Sequence, residues 1–237
     1  MNVEPNKNMQ KEPDALSTEN LMKSRQRVAD HGEVFTAQRE VNAMLDLVKQ
    51  ETERIDSRFL EPACGTGNFL VEILKRKLTV VEQRYAKNQL EFERYAILAL
   101  SSMYGVDILQ DNVQTCRDRL LGIFTHFYLI NCKKEIKPEF LKAAEFILSK
   151  NILWGDALSL KTPDEKAEPI VFSEWSAVNG SMIKRRDYTM ANLLESQPID
   201  GPNLFSDLGD KAFIPTPVGD FPLIHFLKLG DDGTNKL

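Results

Sequence analysis

One stretch constrains this chain more than any other: Phe59-Leu60-Glu61-Pro62-Ala63-Cys64-Gly65-Thr66-Gly67-Asn68-Phe69-Leu70. A short apolar run breaks at small residues and glycines, and apolar residues then return at Phe69, Leu70, Ile73 and Leu74. The change from a continuous run to a three-and-four spacing predicts strand, tight turn and helix. Gly65 and Gly67 lack a Cβ, so each is free to take φ > 0 and bring backbone N–H groups close to a ligand. Open α/β sheets bind ligands at the carboxyl ends of their strands, which is where this turn falls. Glu61 closes the strand and faces that crevice. A dinucleotide fingerprint would carry a third glycine where Leu70 stands, and a phosphate-binding Walker loop would carry a lysine after the second glycine. Neither is present. An acid beside a short glycine turn suits a ligand bearing an ammonium group rather than a phosphate.

The length of 237 residues suits one domain with an appendage, and 42% hydrophobic with 27% charged residues is an ordinary globular balance. No apolar run approaches the ~20 residues needed to cross a bilayer, and the polar N-terminus lacks the marks of a signal peptide. A cytoplasmic protein with no membrane partner is expected. Cys64, Cys116 and Cys132 have neither metal-ligand spacing nor an even count. They read as reduced thiols, with no metal expected. Cys64 lies in the turn, but without a matched His or Asn it reads as a small packing residue. The net charge is −5, with 30 basic and 35 acidic residues well mixed. DNA affinity comes largely from Lys and Arg on phosphates, so this chain is poorly equipped to hold DNA by itself.

In chain order, residues 1–30 read as a loose polar arm followed by a short helix. His31-Gly32-Glu33-Val34-Phe35-Thr36 reads as a turn and an extended piece, with Thr36 placed to cap a helix that buries Val41, Met44, Leu45 and Val48. The helix after the glycine turn is expected to run to about Lys77. A helix over residues 87–102, a strand over 103–108 and a helix over 111–127 follow. Pro138 opens another helix ending near Lys150, and residues 151–158 read as a third strand. Asp107 ends the second strand, where a carboxylate accepts from ribose hydroxyls in a nucleoside site. A helix cap is the alternative role for it. Asp156 lies near the end of the third strand, as a ligand acceptor or as a turn aspartate beside Gly155. Three acids thus end three successive strands.

Here the residues resemble a known family. The Glu61-to-Leu70 stretch resembles the S-adenosylmethionine loop of N6-adenine DNA methyltransferases from restriction–modification systems, whose pattern is D/E-P-x-x-G-x-G. Gly32-x-Val34-x-Thr36 resembles the cofactor motif that precedes this loop in the family, with Thr36-Ala37 where many members have Thr-Pro. Asp107 and Asp156 fall where the second and third motifs have acids, so the resemblance spans about residues 31–158. It implies an α/β, Rossmann-like S-adenosylmethionine-dependent methyltransferase fold. It also implies cofactor contacts from Phe35, Thr36, Glu61, Ala63, Cys64, Gly65, Gly67, Asn68, Asp107, Ile108, Asp156 and Ala157. In that scheme Glu61 takes the ammonium, Asp107 the ribose and Asp156 the adenine amino group.

The resemblance stops before the chemistry. In the family the fourth strand ends in Asn-Pro-Pro-Tyr or a close variant, which accepts from the flipped adenine's amino group and stacks on its ring. Residues 169–175 look strand-like, but no such motif follows Asp156 and the chain contains no Pro-Pro. No catalytic residue is assigned, and the fold is expected to be incomplete. Residues 197–222 are rich in Pro and Gly, with isolated Leu204, Phe205, Phe213, Ile214 and Phe221. Aromatic residues need burial, so this reads as an extended arm laid across the core or a partner. Lys184-Arg185-Arg186 is either a solvated face or a phosphate contact. The expected organisation is an N-terminal arm and helix (1–30), an S-adenosylmethionine-binding α/β domain (31–175) and an extended C-terminal partner-binding segment (176–237). In that segment Phe205, Phe213 and Phe221 would serve as anchors. The implied function is the cofactor subunit of a split adenine-N6 DNA methyltransferase. A second subunit would supply the catalytic motif and target recognition, and DNA would be reached only through the complex. The alternative is a non-catalytic S-adenosylmethionine-binding regulatory or structural protein. A small-molecule methyltransferase is a third reading, for which no substrate-pocket residues stand out.

Overall fold

Two short helices, α1 (Gln38–Asp46) and α2 (Lys49–Thr52), lead into strand β1 (Phe59–Glu61). The glycine turn then opens helix α3 (Asn68–Tyr85), and helix α4 (Gln89–Ser101) returns the chain to β2 (Met103–Asp107). Helices α5 (Gln110–Asn131) and α6 (Pro138–Asn151) follow before β3 (Ile152–Trp154). In this computed structural model the described residues are 36–132, 135–195 and 216–231. The chain divides into two units, Met1–Ala37 and Gln38–Leu237, and the second contains all of these elements.

The fold is mixed α/β. Its first three strands form a parallel sheet in the order β1-β2-β3, with Glu61 opposite Gly105 and Asp107 opposite Trp154. Side chains alternate between sheet faces. Met103 and Ile152 join the main core with Leu70, Leu74, Ile97, Leu120 and Phe140 from α3 to α6. Val106, one residue before Asp107, faces the other way into a small cluster with Ile170, Phe172 and Met190. Local chemistry starts the helices: the Asn88 side chain accepts from the Leu90 and Glu91 N–H groups to cap α4, and Pro138 sits in the first turn of α6.

Helix α3 continues past the expected end at Lys77, because Leu78, Val80 and Val81 go on burying its inner face. Lys77 itself is fully buried. Its Nζ donates to Ile55 O, Ser57 O and Ser102 Oγ and lies over the Phe59 ring. Burial pushes its pKa down to about 7. The lysine ties the loop before β1 to the residue that precedes β2.

The chain beyond β3 corrects two expectations. Strands β4 (Val171–Ala177) and β5 (Met182–Thr189) form an antiparallel pair, so a boundary at residue 175 falls inside a strand. Nor do the described parts of 176–237 make an extended arm. Helix α7 (Met190–Glu195) follows β5, and two short strands, β6 (Gly219–Asp220) and β7 (Ile224–His225), return to pair with β5. A 3-10 turn (Phe226–Lys228) then buries Phe226 and Leu229 in the main core. Phe221, expected as a partner anchor, packs instead under the Arg185 guanidinium of its own chain, 4.0 Å from ring centroid to Cζ. Phe205 and Phe213 lie outside the described residues. The basic cluster is internally paired: Lys184 with Asp220 (2.5 Å), Arg185 with Asp187 (2.6 Å) and Arg186 with Glu174 (3.8 Å). Among the described residues no strand pairs with the outer edge of β1, and no helix is long and apolar enough to cross a membrane.

Candidate functional site

The turn between β1 and α3 is held by its own backbone. Gly65 and Gly67 both have positive φ, 51° and 86°, and Gly67 donates to Cys64 O at 2.8 Å. Cys64 N–H in turn donates to Val106 O at 2.8 Å, which sews the turn to β2. The two glycines are required for different reasons. At Gly65 open space surrounds the place where a Cβ would stand, so only its φ selects glycine. At Gly67 a Cβ would lie 2.6 Å from Cys116 Sγ on α5, so packing excludes a side chain as well.

The three acids differ in how much of their capacity is free. Glu61 is half-buried at the end of β1 and has one weak partner, the Ala63 N–H at 3.4 Å. Burial raises its pKa, against a smaller opposing pull from that N–H. Asp107 is only 8% exposed. Its Oδ2 accepts from Gly65 N–H at 2.8 Å, and its Oδ1 accepts from Leu109 N–H at 2.9 Å and Asn112 Nδ2 at 3.2 Å. A carboxylate offers about four acceptor positions, so one remains, on the oxygen that already touches the glycine turn. Asp107 thus ties turn to strand with one acceptor position unused. Asp156 bonds its own turn once through each oxygen, accepting from Leu158 N–H (2.9 Å) and Ser159 N–H (3.3 Å), which leaves about two of its four acceptor positions. Those turn amides, Leu158 first, hold its carboxyl below the usual range. This is a turn-aspartate role that still leaves the carboxylate able to accept from a ligand.

Backbone bonds lace the strand ends together. Gly155 N–H donates to Asp107 O at 3.0 Å, and the Trp154 indole donates to Ile108 O at 2.9 Å. Glu61, the turn and Asp107 lie together at the carboxyl end of the sheet, with the Ile108 side chain 44% exposed beside them. Ala63 is exposed, and Ala157 packs on the small cluster behind β2. Cys64 is buried, and the neighbouring Cys116 together with burial pushes its thiol far up, so it packs rather than reacts. Thr36 lies in the first unit, and Phe35 is outside the described residues.

Two residues the sequence reading passed over, Asn112 and Arg119, support the turn from below together with Cys116, which it read as a reduced thiol. Asn112, Cys116 and Arg119 stand four and three apart on one face of α5, the spacing of helical neighbours. Asn112 holds Asp107, Cys116 lies under Gly67, and Arg119 Nη1 donates to Thr66 O, Thr66 Oγ1 and Asn68 Oδ1. The available signal was two polar residues in register with the buried Cys116. A cavity of about 450 Å³ lined by Arg54, Ser57, Arg58 and Ser102 lies at the amino ends of β1 and β2, the opposite end from the turn. Its two arginines are already paired, with Asp56 at 3.1 Å and Glu174 at 2.6 Å. The convergent polar groups are at the turn.

No family model, no curated protein and no solved structure matches the chain.

Proposed function

We propose that this chain is the S-adenosylmethionine-binding subunit of a two-chain adenine-N6 DNA methyltransferase of a restriction–modification system, built on a Rossmann-like methyltransferase fold. One observation carries the reading. An acid ends a parallel strand, a turn with two positive-φ glycines opens the next helix, and the acid of the neighbouring strand bonds that turn while keeping one acceptor position. In this scheme Glu61 pairs with the cofactor ammonium, Asp107 accepts from a ribose hydroxyl, and Ile108 covers the adenine. Asp156 shapes the wall after β3 and, with about two acceptor positions left, accepts from the adenine amino group. The described residues continue into an antiparallel pair instead of a parallel fourth strand, which leaves the outer edge of β1 for a strand of the partner. The partner brings the Asn-Pro-Pro-aromatic motif and the DNA-reading surface, in keeping with a net charge of −5 on this chain.

Calorimetry tests the cofactor half of the proposal. Wild-type protein is expected to bind S-adenosylmethionine. Glu61→Gln should weaken binding roughly tenfold or more, the loss of one charge-assisted hydrogen bond of about 1.5–3 kcal/mol. The pH dependence has a definite sign. The ammonium needs the carboxylate, and burial lifts the Glu61 pKa above its ordinary 4.5. Affinity should therefore fall as pH drops through that raised value, with a proton released on binding near and below it, and Glu61→Gln should flatten the profile. A wild-type affinity that ignores pH and survives the substitution would sink the assignment. The partner half is tested by DNA methylation: none from this chain alone, and activity on co-expression with a chain carrying the missing motif. Methylation by the isolated chain would overturn it.

A further inference from the structure

The glycine turn poses a conformational problem that the turn cannot solve by itself. Gly65 and Gly67 flank Thr66, and glycine visits positive and negative φ about equally, so the peptide units here have low intrinsic preference. The Thr66–Gly67 peptide is planar, which makes its C=O and N–H point in opposite directions. Its N–H is held by Cys64 O at 2.8 Å, inside the turn. Its C=O is held from outside by Arg119 Nη1 at 2.6 Å. The same nitrogen reaches Thr66 Oγ1 at 3.1 Å and Asn68 Oδ1 at 2.8 Å, spanning the last turn residue before Gly67 and the first residue of α3. A guanidinium donor makes these charge-assisted contacts, roughly twice as strong as neutral ones. Arg119 is half-buried on α5, and the residue three before it, Cys116, fills the space under Gly67.

We infer that Arg119 is a positioning residue, which locks the Thr66 peptide and so holds the glycine turn in the shape that receives the amino-acid end of the cofactor. The inference rests on the cofactor reading above and deepens it. It assigns the selectivity for a ligand with a methionine moiety to a residue on α5 rather than to the turn alone. Arg119 acts through Thr66 and Asn68 and need not touch the ligand.

The test uses two ligands, S-adenosylmethionine and 5′-methylthioadenosine, which keeps the nucleoside and lacks the amino-acid end. Calorimetry on the full chain compares wild type with Arg119→Met, which keeps the aliphatic stem, and with Arg119→Ala. Each is expected to lose about tenfold in affinity for S-adenosylmethionine, the scale of one charge-assisted contact. For 5′-methylthioadenosine the loss should stay within about threefold, because Asp107 keeps its bonds to Leu109 and Asn112. Arg119→Lys should restore most of the loss, since one nitrogen makes all three bonds. Should Arg119→Ala fail to fold by circular dichroism, Arg119→Met carries the comparison. Equal losses for the two ligands would reduce Arg119 to a general brace and overturn the inference. So would an unchanged affinity in Arg119→Met, or a folded Arg119→Lys that restores nothing. A wild type that binds neither ligand overturns the cofactor reading itself and this inference with it. A wild type that binds both, with any of the other contrary outcomes, leaves that reading standing and removes only the role of Arg119.

Discussion

Gly67→Ala is expected to cost about 2–5 kcal/mol of stability and to abolish cofactor binding. The cost has two parts: about 1–2 kcal/mol for holding an L-residue in left-handed backbone and about 1–3 kcal/mol for forcing a methyl into a filled space. Both conditions are met at Gly67, with φ at 86° and the Cβ position 2.6 Å from Cys116 Sγ. For a chain of this size each kcal/mol moves Tm by roughly 2–4 °C, so the midpoint should fall by about 4–20 °C. Gly65→Ala separates the two parts. It shares the positive φ but meets no neighbour within 4 Å, so it should show only the smaller, backbone share. Adding Cys116→Ala to Gly67→Ala should return part of the loss, because the two sites share one contact. Thermal unfolding of the four proteins decides the matter. Equal losses at Gly65 and Gly67, with no rescue, would mean that the close approach of Gly67 to α5 is not what makes it a glycine.

Phe226→Ala should cost about 3–5 kcal/mol, the usual range for emptying a buried phenylalanine site. Phe226 is 1% exposed, and its ring meets Phe140 of α6 nearly edge-on, with centroids 6.4 Å apart. It lies far along the chain from its neighbours in the core, so the cost measures how firmly the C-terminal segment returns to its own domain. Chemical denaturation should show a lower midpoint with little change in slope. A variant as stable as wild type would mean that this segment does not dock on α6 in solution. The expectation of an extended partner-binding arm would then deserve revival for residues 216–231.

The cofactor reading and the role of Arg119 respond to these variants differently. Gly67→Ala removes the turn's shape and should silence S-adenosylmethionine, with the nucleoside fragment less affected. Phe226→Ala lies away from the turn and should lower stability while leaving the affinities of the folded protein close to wild type. A loss of binding that tracked stability in both would indicate a fragile domain rather than a site.

The strand, turn and helix around residues 59–70 were legible in the sequence because their causes are local. Apolar spacing switches from a run to a helical repeat at Phe69, and only glycine takes the two positive φ values cheaply. The order of parallel strands with acids at their ends was legible for a related reason, since strand–helix–strand units place successive carboxyl ends side by side. Tertiary structure decided the rest. Asp156 looked the equal of Glu61 and Asp107, yet it also binds Leu158 and Ser159 of its own turn, a second duty that depends on how the chain leaves β3. Lys77 looked like a helix end, yet Ile55, Ser57 and Ser102 surround its ammonium, and none of them is near it in sequence. Arg119 drew no notice in the sequence, yet it braces a turn about fifty residues earlier. The proline-rich tail looked like an arm because its composition carries no periodicity. What brings its end home is the hydrogen-bonding edge of β5 and the space beside Phe140, and both are made by distant residues only after the domain has folded.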